Sequence, residues 1–150
     1  MTTWFTSDLH FGHKNIIEYC NRPWDTVEEM DAGLIDNWNQ KVKLMDIVYV
    51  IGDFSLHHKA TRLDENLEKL NGFKYLVRGN HDNRKSSKNA GGWMTVNEMI
   101  DTDVDGHKVR MIHYKLEDWR GPRILLHGHE HNKAPRTGRY SYDVGVDANN

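Results

Sequence analysis

Three short apolar runs, Thr2 to Thr6, Asp46 to Ile51 and Lys74 to Val77, each stop at a loop carrying Gly, Asp, Asn or His. Runs of this length bounded by turn residues read as buried strands. Helical spacing fills the gaps between them. Lys14 to Cys20 forms one short helical stretch. Thr26 is an N-cap for a longer helix, with Glu28 and Glu29 in its first turn and Met30, Leu34, Ile35 and Trp38 along one face. Leu63, Leu67 and Leu70 mark a third. Strand, helix, strand in this order predicts a largely parallel sheet whose binding edge lies at the strand C-termini.

The second half has a different pattern. Met99 to Val104, the Asp105-Gly106 turn and Lys108 to Ile112 predict a hairpin, and Ile124 to Leu126 and Tyr140 to Val146 predict further strands. Arg84 to Gly92, rich in Ser, Asn, Lys and Gly, reads as a surface loop. The expectation is an α/β fold of two packed sheets flanked by helices, in one domain, since 150 residues at 37% hydrophobic content support a single core.

A net charge of -2 gives no broad attraction to nucleic acid or to an anionic membrane, so tight duplex binding is not expected. Cys20 is the lone cysteine, and neither a signal-peptide core nor a membrane-length apolar run is present, which leads us to expect a cytoplasmic protein. Histidine is the unusual component, with 10 copies.

Five of those histidines fall into ordered clusters: Asp8-Leu9-His10, Gly52-Asp53, Gly79-Asn80-His81-Asp82, His113 and Gly128-His129-Glu130-His131. In an extended segment residues two apart point the same way, so Asp8 with His10, and His129 with His131, can each aim both side chains at one place. Carboxylate, imidazole and amide oxygen suit Mn, Fe, Zn or Ni, and Asp53 is the natural bridge between two cations. Two cations roughly 3.5–4 Å apart can clamp a phosphate and bring a bridging water to hydroxide near neutral pH. Each cluster alone is ordinary turn chemistry; their order carries the reading. A structural zinc site would favour cysteine-rich ligands at close spacing, which this chain lacks. His107 and His127 read as solvated or structural, and His57 and His58 as a polar loop.

The series Asp-x-His, Gly-Asp, Gly-Asn-His-Asp, His and Gly-His-x-His, from Asp8 to His131, resembles the calcineurin-like metallophosphoesterase superfamily. The resemblance implies a four-layer α/β sandwich of two mixed sheets flanked by helices, and two divalent or trivalent metal ions, with Mn the first expectation. It implies that Asp8, His10, Asp53 and His131 hold one ion, and that Asp53, Asn80, His113 and His129 hold the other. It makes His81 the catalytic imidazole that contacts phosphate and protonates the leaving group. Many members carry a second carboxylate three residues after the Gly-Asp aspartate to orient that histidine. Here the position is Leu56, so Asp82 or a backbone carbonyl is the expected substitute. Within these 150 residues no separate cap domain is expected.

His13, at the start of the first helix, and the guanidinium groups of Arg22 and Arg78 are the candidate substrate contacts. Tyr114 and Trp119 are candidates for stacking on a nucleobase, whereas Trp4, Trp24, Trp38 and Trp93 read as core residues. The leading expectation is hydrolysis of a phosphodiester, of nucleotide type or small and organic. The alternatives are a phosphomonoesterase acting on nucleotides or phosphoproteins, a nuclease, and a non-catalytic metal- or nucleotide-binding module.

Overall fold

The computed structural model describes residues 1–133 and 140–149. Its elements are β1 (Thr3–Thr6), α1 (Lys14–Tyr19), α2 (Val27–Lys41), β2 (Ile47–Ile51), α3 (Ala60–Leu67), β3 (Phe73–Val77), α4 (Arg84–Asn89), β4 (Trp93–Asn97), β5 (Met99–Val104), β6 (His107–Ile112), β7 (Ile124–His127), β8 (Ser141–Asp143) and α5 (Val146–Asn149). Two four-stranded sheets, ordered β1-β2-β3-β4 and β5-β6-β7-β8, are flanked by helices. The first is parallel throughout. The second is mixed, with β5 antiparallel to β6 and the other pairs parallel.

The sequence of β2, Ile-Val-Tyr-Val-Ile, is apolar at every position because both faces of its strand are covered. Val48, Val50 and Leu76 join one buried cluster with Ile16, Met30, Leu34 and Leu67 from the helices. The alternate residues Tyr49, Ile51 and Val77 join a second cluster with Val109, Met111 and Leu126 of the other sheet. Strand pleat thus sends one set to the helices and the other to the partner sheet.

The longest helix starts where expected. Thr26 Oγ1 accepts from Glu29 N–H while the Glu29 carboxylate accepts from Thr26 N–H, closing a capping box. Met30, Leu34 and Trp38 form its buried face, each contributing about 1.5–3 kcal/mol on burial. The β5–β6 hairpin pairs Val104 with His107 across Asp105-Gly106. Both turn residues have positive φ, 51° and 80°, as a two-residue hairpin turn requires.

Some expectations need correction. The segment read as a loop from Arg84 holds α4, because the Asn83 side chain caps it by accepting from Lys85 and Ser86 N–H, and Ser86 and Ser87 are buried. Trp93–Asn97 is a strand that the apolar pattern did not mark, paired in parallel with β3. The strand expected over Tyr140 to Val146 ends at Asp143, whose Oδ1 accepts from Gly145 N–H, and the chain enters α5 at Val146. Among the described residues no helix is long and apolar enough to cross a membrane.

Candidate metal centre

The segments that follow β1, β2, β3, β6 and β7 meet at one end of the two sheets. Asp8 and His10 alternate with Leu9 and Phe11, whose side chains are buried in the helix-side core and anchor the loop. Beyond the strands, the β1–β2 pairing continues in looser form: Asp8 N–H donates to Gly52 O, His10 N–H to Asp53 O and Phe11 N–H to Phe54 O, at 2.9–3.0 Å. The Asp8 carboxylate accepts from His129 N–H, tying the loop after β1 to that after β7.

The paired side chains converge, but not through extended backbone. Asp8 (φ 59°), His10 (56°), Asp53 (54°), His129 (71°) and His131 (47°) all adopt left-handed conformations. Asp and His tolerate this region better than most side chains. Such strain costs of order 1–3 kcal/mol per residue and persists where the surroundings enforce it. Two glycines permit the close approach of the loops that carry these residues. A Cβ on Gly52 would overlap the His113 ring, and one on Gly79 would overlap Asp53 Oδ1.

Asp53 Oδ2 is the focus of the site. It lies 3.5 Å from His10 Nε2, 3.3 Å from His113 Nε2 and 4.0 Å from His81 Nε2, while Oδ1 accepts from His81 N–H. Asn80 Oδ1 lies 3.1 Å from His113 Nε2 and 3.0 Å from His129 Nδ1. Among the described residues, three of the groups that could bring donor atoms to one cation include Asp8 or Asp53: Asp8, His10 and His131; His10, Asp53 and His81; and Asp53, His113 and His129. The buried His10 Nε2 has no hydrogen-bond partner, so its lone pair is available on the side facing Asp53. His113 Nδ1 sits 2.8 Å from Ile51 O, which orients its ring and leaves Nε2 toward the same point. The donor set therefore fits divalent cations.

Burial opposes ionisation of Asp53, yet the His113 hydrogen bond and charge, with help from His81 N–H and His10, bring its carboxyl down to about 2. Burial drives His10 down to about 3 against the attraction of Asp53. His113 behaves oppositely: burial disfavours its charge, but Asp53 and Asp8 raise it. Burial also raises Asp8, in spite of Ser7 and the nearby imidazoles. Neutral His10 and ionised Asp53 are the states that can ligate a cation.

His81 stands at the rim, with 43% of its side chain exposed. His13 lies beside it, ring centroids 5.8 Å apart, with its Nδ1 3.0 Å from His10 Nδ1. Tyr114 is exposed and packs edgewise on His113 and His129, at centroid distances of 5.3 and 4.9 Å. Trp119 donates its indole N–H to Pro122 O.

The two expected arginine contacts are engaged elsewhere. Arg22 is buried, with its guanidinium on Asp147, Leu9 O and Asp8 O. Arg78 pairs with Glu98 and donates to Asp82 O. Asp82, expected as a partner for His81, instead accepts from the backbone N–H groups of Asp53, Phe54, Ser55 and Gly79. It positions two loops and not an imidazole. Asp147 was missed altogether, because it lies just past the segment read as a strand, where no donor motif marks it; its carboxylate contacts His131 Nδ1 at 2.6 Å. Its nearest sequence signal is Gly145, which interrupts that strand.

The model of the family described as calcineurin-like phosphoesterase matches residues 1–140. An uncharacterized protein of Methanocaldococcus jannaschii is 42% identical over 133 residues, covering 83% of this chain and 66% of its own length. The chain thus spans about two thirds of that relative. The Gene 66 proteins of Mycobacterium phages L5 and D29 are 34% and 31% identical, each over 97% of this chain and over 86% and 87% of their own lengths. A crystal structure of a protein of unknown function from Aquifex aeolicus superposes with a TM-score of 0.77 at 24% identity, covering 99% of this chain and 92% of the other, and so shares its fold. With divalent cations implied by that family and a converging Asp, His and Asn donor set to receive them, the chain belongs to the calcineurin-like phosphoesterase family.

Proposed function

We propose that residues 1–150 form one metallophosphoesterase domain that hydrolyses a phosphodiester, of nucleotide type or small and organic, at a dinuclear cation centre. The observation that carries this is the position of Asp53 Oδ2 between His10 and His113, one from each side of the site. In this reading Asp8, His10, Asp53 and His131 hold one cation, and Asp53, Asn80, His113 and His129 the other. Manganese is the first choice, with Fe, Zn and Ni compatible with the same donors. When bound, the cations supply neutralisation of phosphoryl charge and acidification of water.

The chain's own groups do the rest. Asp53 holds the two halves together, and the buried Leu9, Phe11 and Phe54 keep the loops rigid beneath it. His81, exposed at the rim and 4.0 Å from Asp53 Oδ2, delivers a proton to the leaving oxygen. His13 receives a phosphate oxygen beside it. With Arg22 and Arg78 both engaged by carboxylates, imidazoles face the phosphate where an arginine fork would favour a terminal dianion, which supports a diester. Tyr114 offers a flat ring beside His129 for a base-like substituent. The net charge of -2 favours a small ester over a duplex, and a chain with Cys20 alone suits the reducing cytoplasm.

The test is turnover of bis(4-nitrophenyl) phosphate and 4-nitrophenyl phosphate by metal-stripped protein with Mn²⁺ restored, beside His81→Ala and Asp53→Asn. Metal-restored diester cleavage that both variants lose supports the proposal. Faster monoester turnover would replace it with a phosphomonoesterase. Stoichiometric metal binding without cleavage of either ester would move the case to a binding role.

A further inference from the structure

We propose that Asp147 and Arg22 form a positioning pair that dictates which nitrogen of His131 faces the cation centre. The inference rests on the reading of Asp8, His10, Asp53 and His131 as one ligand set.

His131 has a different neighbour at each nitrogen. Nε2 lies 3.8 Å from Asp8 Oδ1, on the side of the centre. Nδ1 lies 2.6 Å from Asp147 Oδ2, on the far side. A carboxylate is an acceptor only, and of the two that flank the ring only Asp147 is at hydrogen-bond distance, so in the neutral ring this contact places the hydrogen on Nδ1 and leaves the Nε2 lone pair on the Asp8 side for a cation. Without it the neutral ring would be free to carry its hydrogen on Nε2, the tautomer that does not ligate from that nitrogen.

Asp147 is itself held. Arg22 Nε donates to Oδ1 and Nη2 to Oδ2, both at 2.8 Å, the two-pronged geometry that fixes a carboxylate plane. The remaining guanidinium hydrogens reach Leu9 O at 2.8 Å and Met30 Sδ at 3.5 Å from Nη1, and Asp8 O at 2.6 Å from Nη2. One cation thus clamps the backbone of the loop that carries Asp8 and His10 and, through Asp147, the ring of His131. The Arg22 side chain is 3% exposed and that of Asp147 7%, so water competes little for these bonds. Ligands from opposite ends of the chain are set by one buried pair.

Cys20, His131 and Asp147 also lie within reach of a common cation. Both Asp147 oxygens already accept from Arg22, however, and a second cation there would face a buried like charge at contact distance. Burial and the Asp147 charge also push the Cys20 thiol up, which disfavours the ligating thiolate. Positioning, not a third cation, is the function the geometry supports.

The test uses the full chain, stripped of metal. Mn²⁺ is titrated by calorimetry into wild type, Asp147→Asn and Arg22→Lys, and histidine side-chain ¹⁵N resonances are recorded well above the pH at which imidazole titrates. Wild type should bind two ions and show His131 protonated at Nδ1. Asp147→Asn should lose about 10–100-fold in affinity at one of the two sites, the cost typical of deleting a partner behind a metal-bound histidine, and should shift His131 toward the Nε2–H tautomer. Arg22→Lys, which keeps the charge but loses the fork, should give a smaller change in the same direction and stands in if Asp147→Asn does not fold. Two undiminished binding events with an unchanged His131 tautomer in the variants would overturn the inference and leave the dinuclear reading intact. Wild type that binds no Mn²⁺ would overturn both. A third binding event abolished by Cys20→Ala would overturn the positioning role in favour of a separate cation site.

Discussion

Replacing Asp82 by Asn removes half of a buried clamp while barely changing its shape. Oδ2 accepts from Asp53 and Gly79 N–H at 2.8 Å each, and Oδ1 from Phe54 and Ser55 N–H at 2.9 and 3.4 Å. An amide retains one oxygen and turns its NH₂ toward the other pair of donors. Two buried N–H groups then lack an acceptor, at about 1–3 kcal/mol each. The neutral side chain recovers part of that, because burial pushes the Asp82 carboxyl up and so disfavours its charge, against the backbone donors that favour it. The net expectation is a loss of about 3 kcal/mol, or about 6–12 °C in Tm for a chain of this size. Scanning calorimetry of metal-stripped protein is the assay, since bound cations would mask the loss by mass action. A shift below about 2 °C would refute the reasoning, for it would mean the four N–H groups do not depend on this carboxylate.

Three further outcomes are expected. His81→Ala should lower turnover about 10²–10⁴-fold with unchanged Mn²⁺ stoichiometry; wild-type turnover in the variant would remove His81 from catalysis. Gly52→Ala places a Cβ into the His113 ring at a φ of +88°; urea denaturation should show a loss of about 2–4 kcal/mol, and an unchanged midpoint would contradict the close approach. Asp46 accepts from Lys43 N–H, Thr2 N–H and the Trp4 indole, which bring its carboxyl down to about 2 from 3.8. A folded value below the unfolded one means that its stabilisation is present above pH 3.8 and is lost as the pH falls toward about 2. Asp46→Asn should therefore flatten the acid limb of the stability curve in that window, and an unaltered limb would assign acid sensitivity to other carboxylates.

Local rules explain what could be read early. Thr26 and Glu29 announce a helix start because both partners of the capping box lie within one turn. Asp105-Gly106 announces a hairpin because few residue pairs accept two positive φ values in succession. The same locality hid other elements. β4 carries Thr95 and Asn97 among its five residues and is held by pairing with β3, not by an apolar pattern of its own. α4 is polar, and its capping by Asn83 was masked by Ser, Asn and Lys that also suit a loop.

The sequence by itself indicated a largely parallel sheet in the first half, the chemistry of the donors and their place in the loops after the strands, since each is carried by local pattern and by the order of elements along the chain. Only the tertiary structure decided how those donors are aimed. The left-handed turns at Asp8, His10, His129 and His131 replace the extended geometry that spacing suggests, and the loops close on one another where Gly52 meets His113, Gly79 meets Asp53, and Gly128 and Gly145 meet Asp8. Arg22 and Arg78, which read as substrate contacts, became internal ties once their carboxylate partners arrived. Arg22 meets Asp147 across 125 positions of chain and Asp82 meets Asp53 across 29. Contacts at such separations leave no periodicity and no local propensity to read, because they are selected by the packing of two finished sheets and not by the residues on either side.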